Sequence, residues 1–326
     1  MKRRELMLLL GGAAVARPLT ARAQQKAMPV IGLLNSRAAD EAPYLAAAFR
    51  RGLQEAGYVE NQNVAIEGRF ANNQYERLPE LAADLVNRQV TVIAALTMPA
   101  ALAAKAETAT VPIIFETGGD PVQTGLVSSL NRPGGNITGA TQLNVEIGPK
   151  RLEVLHELLP SESVVGLLFN PKNVIAQSEL DSALSAARTL GLDLHVMNAS
   201  SEADFAPAFA KLKELRAGGL AINSDPFFTA RQEQLAALTV RHRVPAVYEN
   251  RAFAAAGGLA SYGGAITEAY RLAGVYVGRI LNGEKPGELP VQQVTKVELF
   301  LNLKTAKALG VAIPQFLFAR ADEVIE

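Results

Sequence analysis

The polar residues with the most regular placement in this chain stand just after short apolar runs. Asn35-Ser36 follows Val30–Leu34, Thr97-Met98-Pro99-Ala100 follows Val90–Leu96, and Gly118-Gly119-Asp120-Pro121 comes soon after Val111–Phe115. Thr141-Gln142, Asn170-Pro171, Asn223-Ser224-Asp225-Pro226, Tyr248-Glu249-Asn250 and Ser261-Tyr262-Gly263 occupy equivalent places further on. Their chemistry is that of hydrogen bonding and charge pairing. Thr97 followed by Pro99 reads as the N-cap and first turn of a helix. Free backbone N–H groups there welcome a carboxylate. Asp225 has the charge to pair with a ligand ammonium. Each residue also has a structural reading. Thr97, Asp120, Asn170 and Asp225 are all good helix caps, and a cap needs no ligand. Tyr248 and Tyr262 either stack on a ligand or fill the edge of a core, and Phe227-Phe228 reads as packing.

Other chemistry is missing. There is no cysteine, which removes thiolate metal sites, iron–sulfur clusters, disulfides and Cys nucleophiles. No Walker phosphate loop is present, and no Gly-x-Gly-x-x-Gly follows a strand. Gly258-Leu259-Ala260-Ser261-Tyr262-Gly263 has the wrong spacing for a nucleophile elbow. His156, His195 and His242 lie far apart, on a predicted helix, strand and helix, and read as surface or packing residues. The acidic residues form no assignable pair. No catalytic residue, metal ligand or cofactor is assigned.

The elements that must position the polar residues alternate. Val30–Asn35 is continuously apolar up to its last residue, as a parallel strand covered on both faces must be. A helix follows, with Leu45, Ala48, Phe49, Leu53 and Ala56 on one face and Gly57 at its end. Strands at Val64–Ile66, Val90–Leu96, Val111–Phe115 and Asn136–Thr141 complete a first set, with a helical stripe at Leu78–Val86. The pattern restarts near residue 160. Val164–Asn170 echoes the first strand, and Leu192–Met197, Leu220–Ile222 and Ala246–Tyr248 alternate with helices through Leu180–Ala187, Phe205–Leu215 and Gln232–Val240. Such alternation argues for parallel sheets with right-handed crossovers, in two similar α/β lobes. Leu259–Gly263, a helix over Ala269–Leu281 and a late strand Val297–Leu303 come after the second set. The chain is therefore expected to cross back to the first lobe near Gly263 and return near Thr295, giving a three-strand hinge. The boundaries so read are 28–142 plus 263–294 for one lobe and 143–262 plus 295–326 for the other.

Ligands of open parallel sheets bind beyond the carboxyl ends of the strands, where the polar residues above lie. The N-terminus gives the compartment. Lys2-Arg3-Arg4-Glu5, an apolar run to Val15 and Ala21-Arg22-Ala23 make an export signal cleaved after Ala23. The run, about 10 residues, is short of the roughly 20 that span a bilayer. The Arg-Arg pair fits either a twin-arginine signal or an ordinary secretory one. Cleavage removes five basic residues and one acidic one, which takes the net charge from 0 to near −4. No basic patch for nucleic acid is suggested.

Longer motifs carry a resemblance. Ala48-Phe49-Arg50-Arg51-Gly52-Leu53-Gln54-Glu55-Ala56-Gly57-Tyr58-Val59-Glu60 resembles the opening of one family of ABC-transporter substrate-binding proteins. So do Leu130-Asn131-Arg132-Pro133-Gly134-Gly135-Asn136, Ala256-Gly257-Gly258-Leu259-Ala260-Ser261-Tyr262-Gly263 and Asn302-Leu303-Lys304-Thr305-Ala306-Lys307. The family includes tryptophan- and phenylalanine-binding members of the type I periplasmic fold, and the resemblance covers essentially the whole exported chain. It implies a two-lobed clamshell that closes on a small solute and docks on a membrane permease with its cytoplasmic ATPase. By position, Asn35, Ser36, Thr97, Pro99 and Ala100 would line one side, with Asp120 and Thr141 nearby. Asn170, Asp225, Tyr248 and Tyr262 would line the other. The expectation is an exported, periplasmic, monomeric solute-binding protein without enzymatic activity, its ligand an aromatic or branched amino acid or a similar carboxylate. A ligand sensor for a membrane receptor and an exported α/β enzyme are the alternatives.

Overall fold

The computed structural model describes residues 28–142 and 144–326. The export signal read in residues 1–23 lies outside them. The first stretch runs β1 (Val30–Asn35), α1 (Pro43–Glu55), β2 (Ala65–Phe70), α2 (Leu78–Asn87), β3 (Val92–Ala95), α3 (Met98–Glu107), β4 (Ile113–Thr117) and β5 (Ile137–Thr141). The second runs α4 (Gly148–Leu158), β6 (Val164–Phe169), α5 (Ala176–Leu190), β7 (Asp193–Asn198), α6 (Phe205–Glu214) and β8 (Gly219–Ile222). It continues through α7 (Pro226–Ala230), α8 (Gln232–His242), β9 (Ala246–Tyr248), α9 (Arg251–Ala255) and β10 (Ala260–Gly264). The chain ends with α10 (Ile266–Leu281), β11 (Gln292–Gln293), β12 (Val297–Asn302), α11 (Leu303–Leu309), α12 (Gln315–Arg320) and β13 (Glu323–Ile325).

Two sheets result, one in each of two α/β lobes. The first has the order β11-β5-β4-β3-β1-β2 and is parallel throughout. The second has the order β13-β12-β10-β9-β8-β6-β7, and its one antiparallel pair is β10 with β12. β3, β4 and β5 are buried along their whole length; β3 is apolar throughout, while β4 and β5 also bury Glu116, Thr117, Thr138 and Thr141. Edge strand β2 is half-exposed and runs on through Glu67-Gly68-Arg69-Phe70, beyond the expected Val64–Ile66, because an edge tolerates charge. β4 begins at Ile113 and not at Val111, whose N–H is bound by Thr108 Oγ1 at 3.1 Å.

The chain passes between the sheets after β5, between β10 and α10, and between β11 and β12. These passages are tied to one another. The Gly264 N–H donates to Asn144 Oδ1 at 2.6 Å, and the Val294 N–H to Thr141 O at 2.8 Å. α10 packs on α1, where Phe49 and Leu53 meet Tyr270, Ala273 and Val277. The helices touch through glycine. A Cβ on Gly52 would stand 1.8 Å from Arg271 O, and one on Gly274 would stand 2.2 Å from Phe49 O.

Two expected caps are different structures. Asp120 opens no helix; its Oδ1 accepts from the Val122 and Gln123 N–H groups and holds a turn. Asn170 Oδ1 likewise accepts from the Lys172 N–H, and α5 starts only at Ala176. Thr97 and Asp225 do cap helices, α3 and α7.

Candidate functional site

A narrow cavity lies between the lobes, at the carboxyl ends of both sets of strands. Arg37, Thr97, Pro99, Glu116 and Gln142 line it from the first sheet's side. Asn173, Ser224, Asp225, Thr229 and Glu249 line it from the second. Met98, Val145, Ile175 and Ile266 add apolar wall. A larger hollow of about 670 Å³ opens on the flank beside Gly263–Thr267 and shares Glu249 and Ile266 with the cavity. Of the two, the narrow one has Arg37, Glu116 and Gln142 in its wall and residues of both lobes, so the site is placed there.

Arg37 follows β1 and is 5% exposed. Its Nη1 donates to the Tyr270 hydroxyl at 2.6 Å, while its Nε has no partner among the described residues. No carboxylate lies within 4.0 Å of it among those residues. Glu116, in β4, is also buried, with Oε1 unpartnered. Burial pushes its carboxyl up to about 8; Arg37 pulls the other way, and Glu249 adds to the rise. Gln142 Oε1 is a third buried atom without a partner among the described residues. These three atoms without partners among the described residues thus belong to residues that line the same cavity.

Asp225 is 3% exposed and heavily engaged. Its Oδ1 accepts from Asn170 Nδ2 at 3.1 Å, the Phe227 N–H at 2.8 Å and the Tyr75 hydroxyl at 3.0 Å; its Oδ2 accepts from Asn173 Nδ2 at 2.7 Å. A carboxylate has about four acceptor sites, so little is left for an ammonium. Burial pushes its carboxyl above the ordinary range, against these four hydrogen bonds. Tyr75 belongs to the first lobe, and its hydroxyl is held well above the usual phenol range by burial and by Asp225. Gln232 Nε2 to the Tyr44 hydroxyl (3.3 Å) and the Arg231–Glu41 ion pair also join the lobes. The cleft is shut.

The start of α3 is less open to an anion than its sequence suggests. Pro99 has no N–H, the Ala100 N–H is taken by Thr97 Oγ1 at 3.4 Å, and the Ala101 N–H by Thr97 O at 2.9 Å. Arg37, which strand-end reasoning passed over, is the evident cation.

Of the residues singled out from the sequence, Thr97, Pro99 and Asp225 line the cavity. Asn170 stands behind Asp225, and Ala100 lies buried in α3. Asn35 Oδ1 accepts from the Arg37 N–H at 3.0 Å, Ser36 is fully buried beside it, and Thr141 Oγ1 donates to Gly119 O at 3.1 Å. Asp120 stays in its turn. Neither tyrosine ring is among the lining. Tyr248 packs edge-on against Phe253 in the core, its hydroxyl 2.9 Å from Thr229 Oγ1. Tyr262 packs on the core that includes Leu299 and Leu301. Glu116 carried a sequence signal, a lone charge after Ile113-Ile114-Phe115. Arg37, Gln142, Asn173 and Glu249 carried none beyond nearness to strand ends.

The fold and its cleft bear comparison with known proteins. Residues 38–325 match the family described as ABC transporter substrate binding protein. The chain belongs to this substrate-binding family. A curated relative, the tyrosine-binding protein of Clostridioides difficile (strain R20291), is 26% identical over 262 residues, which is 80% of this chain and 75% of the relative. The crystal structure of a conserved domain protein from Vibrio cholerae O1 biovar El Tor superposes with a TM-score of 0.82 at 26% identity, covering 91% of this chain and 99% of the other. A Streptococcus pneumoniae ABC domain in complex with L-Trp gives the same TM-score and coverage at 22% identity. This substrate-binding protein thus has the type I periplasmic fold, and its family implies a small-molecule ligand and an ABC transporter as partner. Among its described residues no helix is long and apolar enough to cross a membrane, and no cluster of potential ligands could hold a metal ion.

Proposed function

We propose that this protein is the exported, periplasmic, monomeric solute-binding component of an ABC importer, and that it closes its two lobes around an amino acid or a similar small carboxylate. The observation that carries the reading is Arg37, a buried guanidinium with an unpartnered Nε and no acid within 4.0 Å among the described residues. A buried charge with no acid at contact distance is costly. A ligand carboxylate offsets that cost and makes charge-assisted hydrogen bonds. Across the cavity Glu249 accepts from an ammonium, with Gln142 Oε1 and Glu116 on Arg37's own side of the cavity as further polar lining. Thr97 and Pro99 form the wall beside the carboxylate, with Asn35, Ser36, Ala100, Thr141 and Asn170 supporting the lining. Asp225 takes the part of closing partner to Tyr75.

Closure of this kind is hinge motion about the three passages between the sheets. The named ligands of the relatives, tyrosine and L-Trp, support an amino acid. Export rests on residues 1–23, and N-terminal sequencing of the periplasmic protein should begin at Gln24. Retention in the cytoplasm with Met1 in place would overturn that part. Binding without turnover is expected, with no cofactor.

The test is thermal denaturation of the purified protein with each common amino acid. A ligand at 100 times its Kd adds about 2.7 kcal/mol. Arg37→Lys keeps the charge but loses the fork, and Arg37→Met loses both. Loss of the truncated partner of a buried charge pair costs about 2–5 kcal/mol, so Arg37→Met should weaken binding at least about 30-fold. No stabilisation by any amino acid sinks the reading.

A further inference from the structure

We infer that the end of the second lobe opposite the cleft is a docking surface for a membrane leaflet rich in anionic phospholipid. The inference goes beyond the solute-binding reading and does not depend on which solute is bound.

Residues 160–162, 217–218 and 244–245 lead into β6, β8 and β9. They line a groove at the amino ends of those strands, whereas the cleft lies at the carboxyl ends. Lys213, Arg216 and Arg243 stand in the groove wall with one acid, Glu162. Arg241 lies beside them in the last turn of α8, and Lys304 and Lys307 lie on α11, which packs on α8. All of these cations are exposed, and none has a carboxylate within 4.0 Å among the described residues. Surface cations elsewhere do have one: Arg50, Arg69, Arg271 and Arg279 pair with Glu60, Asp84, Glu55 and Glu284. Glu157 and Glu214, the acids of α4 and α6 at this end, are taken by Arg320 and Lys211. The cations come from three helices and the turns after two of them, so no run of the sequence shows the patch.

Part of the pattern has an ordinary cause. Lys213, Arg241 and Lys307 sit in last turns, where a cation meets the free carbonyls of the helix end. Arg216 and Arg243 stand just past their helices at φ 52° and 56°, in the left-handed region that suits glycine. Each therefore holds a charge at a place where glycine would be less strained.

A broad anionic surface fits this arrangement better than a ligand confined to the groove. Arg241, Lys304 and Lys307 are outside the groove lining but on the same end. Phe316 and Phe318, 50% and 43% exposed, flank the buried Leu317 on α12, which follows Pro314 of the groove wall. Exposed aromatic rings beside cations suit the headgroup boundary of a bilayer. The chain is net negative once residues 1–23 are removed, so attraction to an anionic leaflet requires this end to face it. The cleft, at the other ends of the strands, is then left uncovered.

The test is cosedimentation with vesicles of equal parts phosphatidylglycerol and phosphatidylcholine, against vesicles of phosphatidylcholine alone. The chain from Gln24 onward is used, which holds every described residue and leaves out the five cations of residues 1–23. It should bind the anionic vesicles at least tenfold more tightly. Raising the salt from about 0.1 M to about 1 M shortens the Debye length from about 10 Å to about 3 Å and should release it. Arg216→Gln with Arg243→Gln removes two groove charges, and Gln89 shows that glutamine takes the same left-handed backbone, at φ 55°. Lys304→Gln with Lys307→Gln removes two charges outside the groove. Each cation near an anionic leaflet is worth about fivefold, so either pair should lower partitioning about 25-fold. Unchanged melting temperatures show that the variants fold, and the two pairs stand in for each other if one does not. No binding, equal binding to both vesicles, or binding that survives high salt overturns the inference. Loss in the groove pair alone overturns the lipid surface and assigns the groove to an acidic protein segment. Loss in neither pair overturns the role of this end of the lobe.

Discussion

Tyr75 and Asp225 stand 150 positions apart and in different lobes, yet the Tyr75 hydroxyl donates to Asp225 Oδ1 at 3.0 Å. The bond is part-buried, with its carboxylate end fully so, which makes it a well-placed contact for holding the cleft shut. Its energy sets how much of the protein is closed before any solute arrives. Tyr75→Phe should cost the closed form about 1–2 kcal/mol. Small-angle scattering of the ligand-free variant should show a larger radius of gyration than the native protein. An unchanged scattering curve would mean that Glu41–Arg231 and Tyr44–Gln232 hold the lobes without it.

Glu116 gives the protein a pH dependence with a definite sign. Its carboxyl sits near 8 when folded against an ordinary 4.5. Between those values the folded protein holds a proton that the unfolded chain releases. The contribution to stability is therefore fully present below about 4.5 and is lost as the pH rises through about 8. Glu116→Gln keeps the shape of the protonated form and removes the titration. The stability of Glu116→Gln relative to the native protein should climb from pH 5 to pH 8 in urea titrations. A flat difference over that range would count against a protonated Glu116.

Arg151 holds the passages between the lobes. It is 2% exposed, and it donates from Nη2 to Asn144 O at 3.0 Å and from Nε to Tyr262 O at 3.1 Å, with Glu249 Oε2 at 3.9 Å. Arg151→Met leaves two carbonyls and a carboxylate without their cation. A loss of about 3 kcal/mol or more is expected from chemical denaturation. Lys150→Met, at the neighbouring exposed position, should stay within about 0.5 kcal/mol. Equal effects at the two sites would show that Arg151 carries no such load.

The contact of α1 with α10 depends on a missing side chain. Alanine in a helix is favoured over glycine by up to about 1 kcal/mol. At Gly52 the added Cβ would meet Arg271 O at 1.8 Å, a backbone atom that cannot move alone. Steric cost should win, and Gly52→Ala should destabilise by about 1–3 kcal/mol. A rise in melting temperature would show that the helices can separate without loss.

Much of the architecture was legible because burial imposes a pattern on neighbouring residues. Val164–Phe169, Ala246–Tyr248 and the stripe ending at Leu281 show their period within a few positions. So do the caps Thr97 and Asp225, each followed by a proline in the first turn. α4 has a readable stripe in Leu152, Leu155 and Leu158, and the sequence places His156 on a helix there without fixing its bounds. Asp120 and Asn170 show the limit of local reading, since the same side chain that caps a helix can hold a turn.

By itself, then, the sequence determined the two α/β lobes, the polar residues at their strand ends and, through long motifs, the family. Those properties follow from periodicity and from contiguous residues. What only the tertiary structure decided was the assignment of partners. Arg37 is a buried cation with no acid within 4.0 Å among the described residues, Asp225 is filled by Tyr75, Asn170, Asn173 and a backbone N–H, and Tyr248 belongs to a core. Hydrogen-bond satisfaction is a property of groups brought together from distant positions, and no spacing along the chain encodes it.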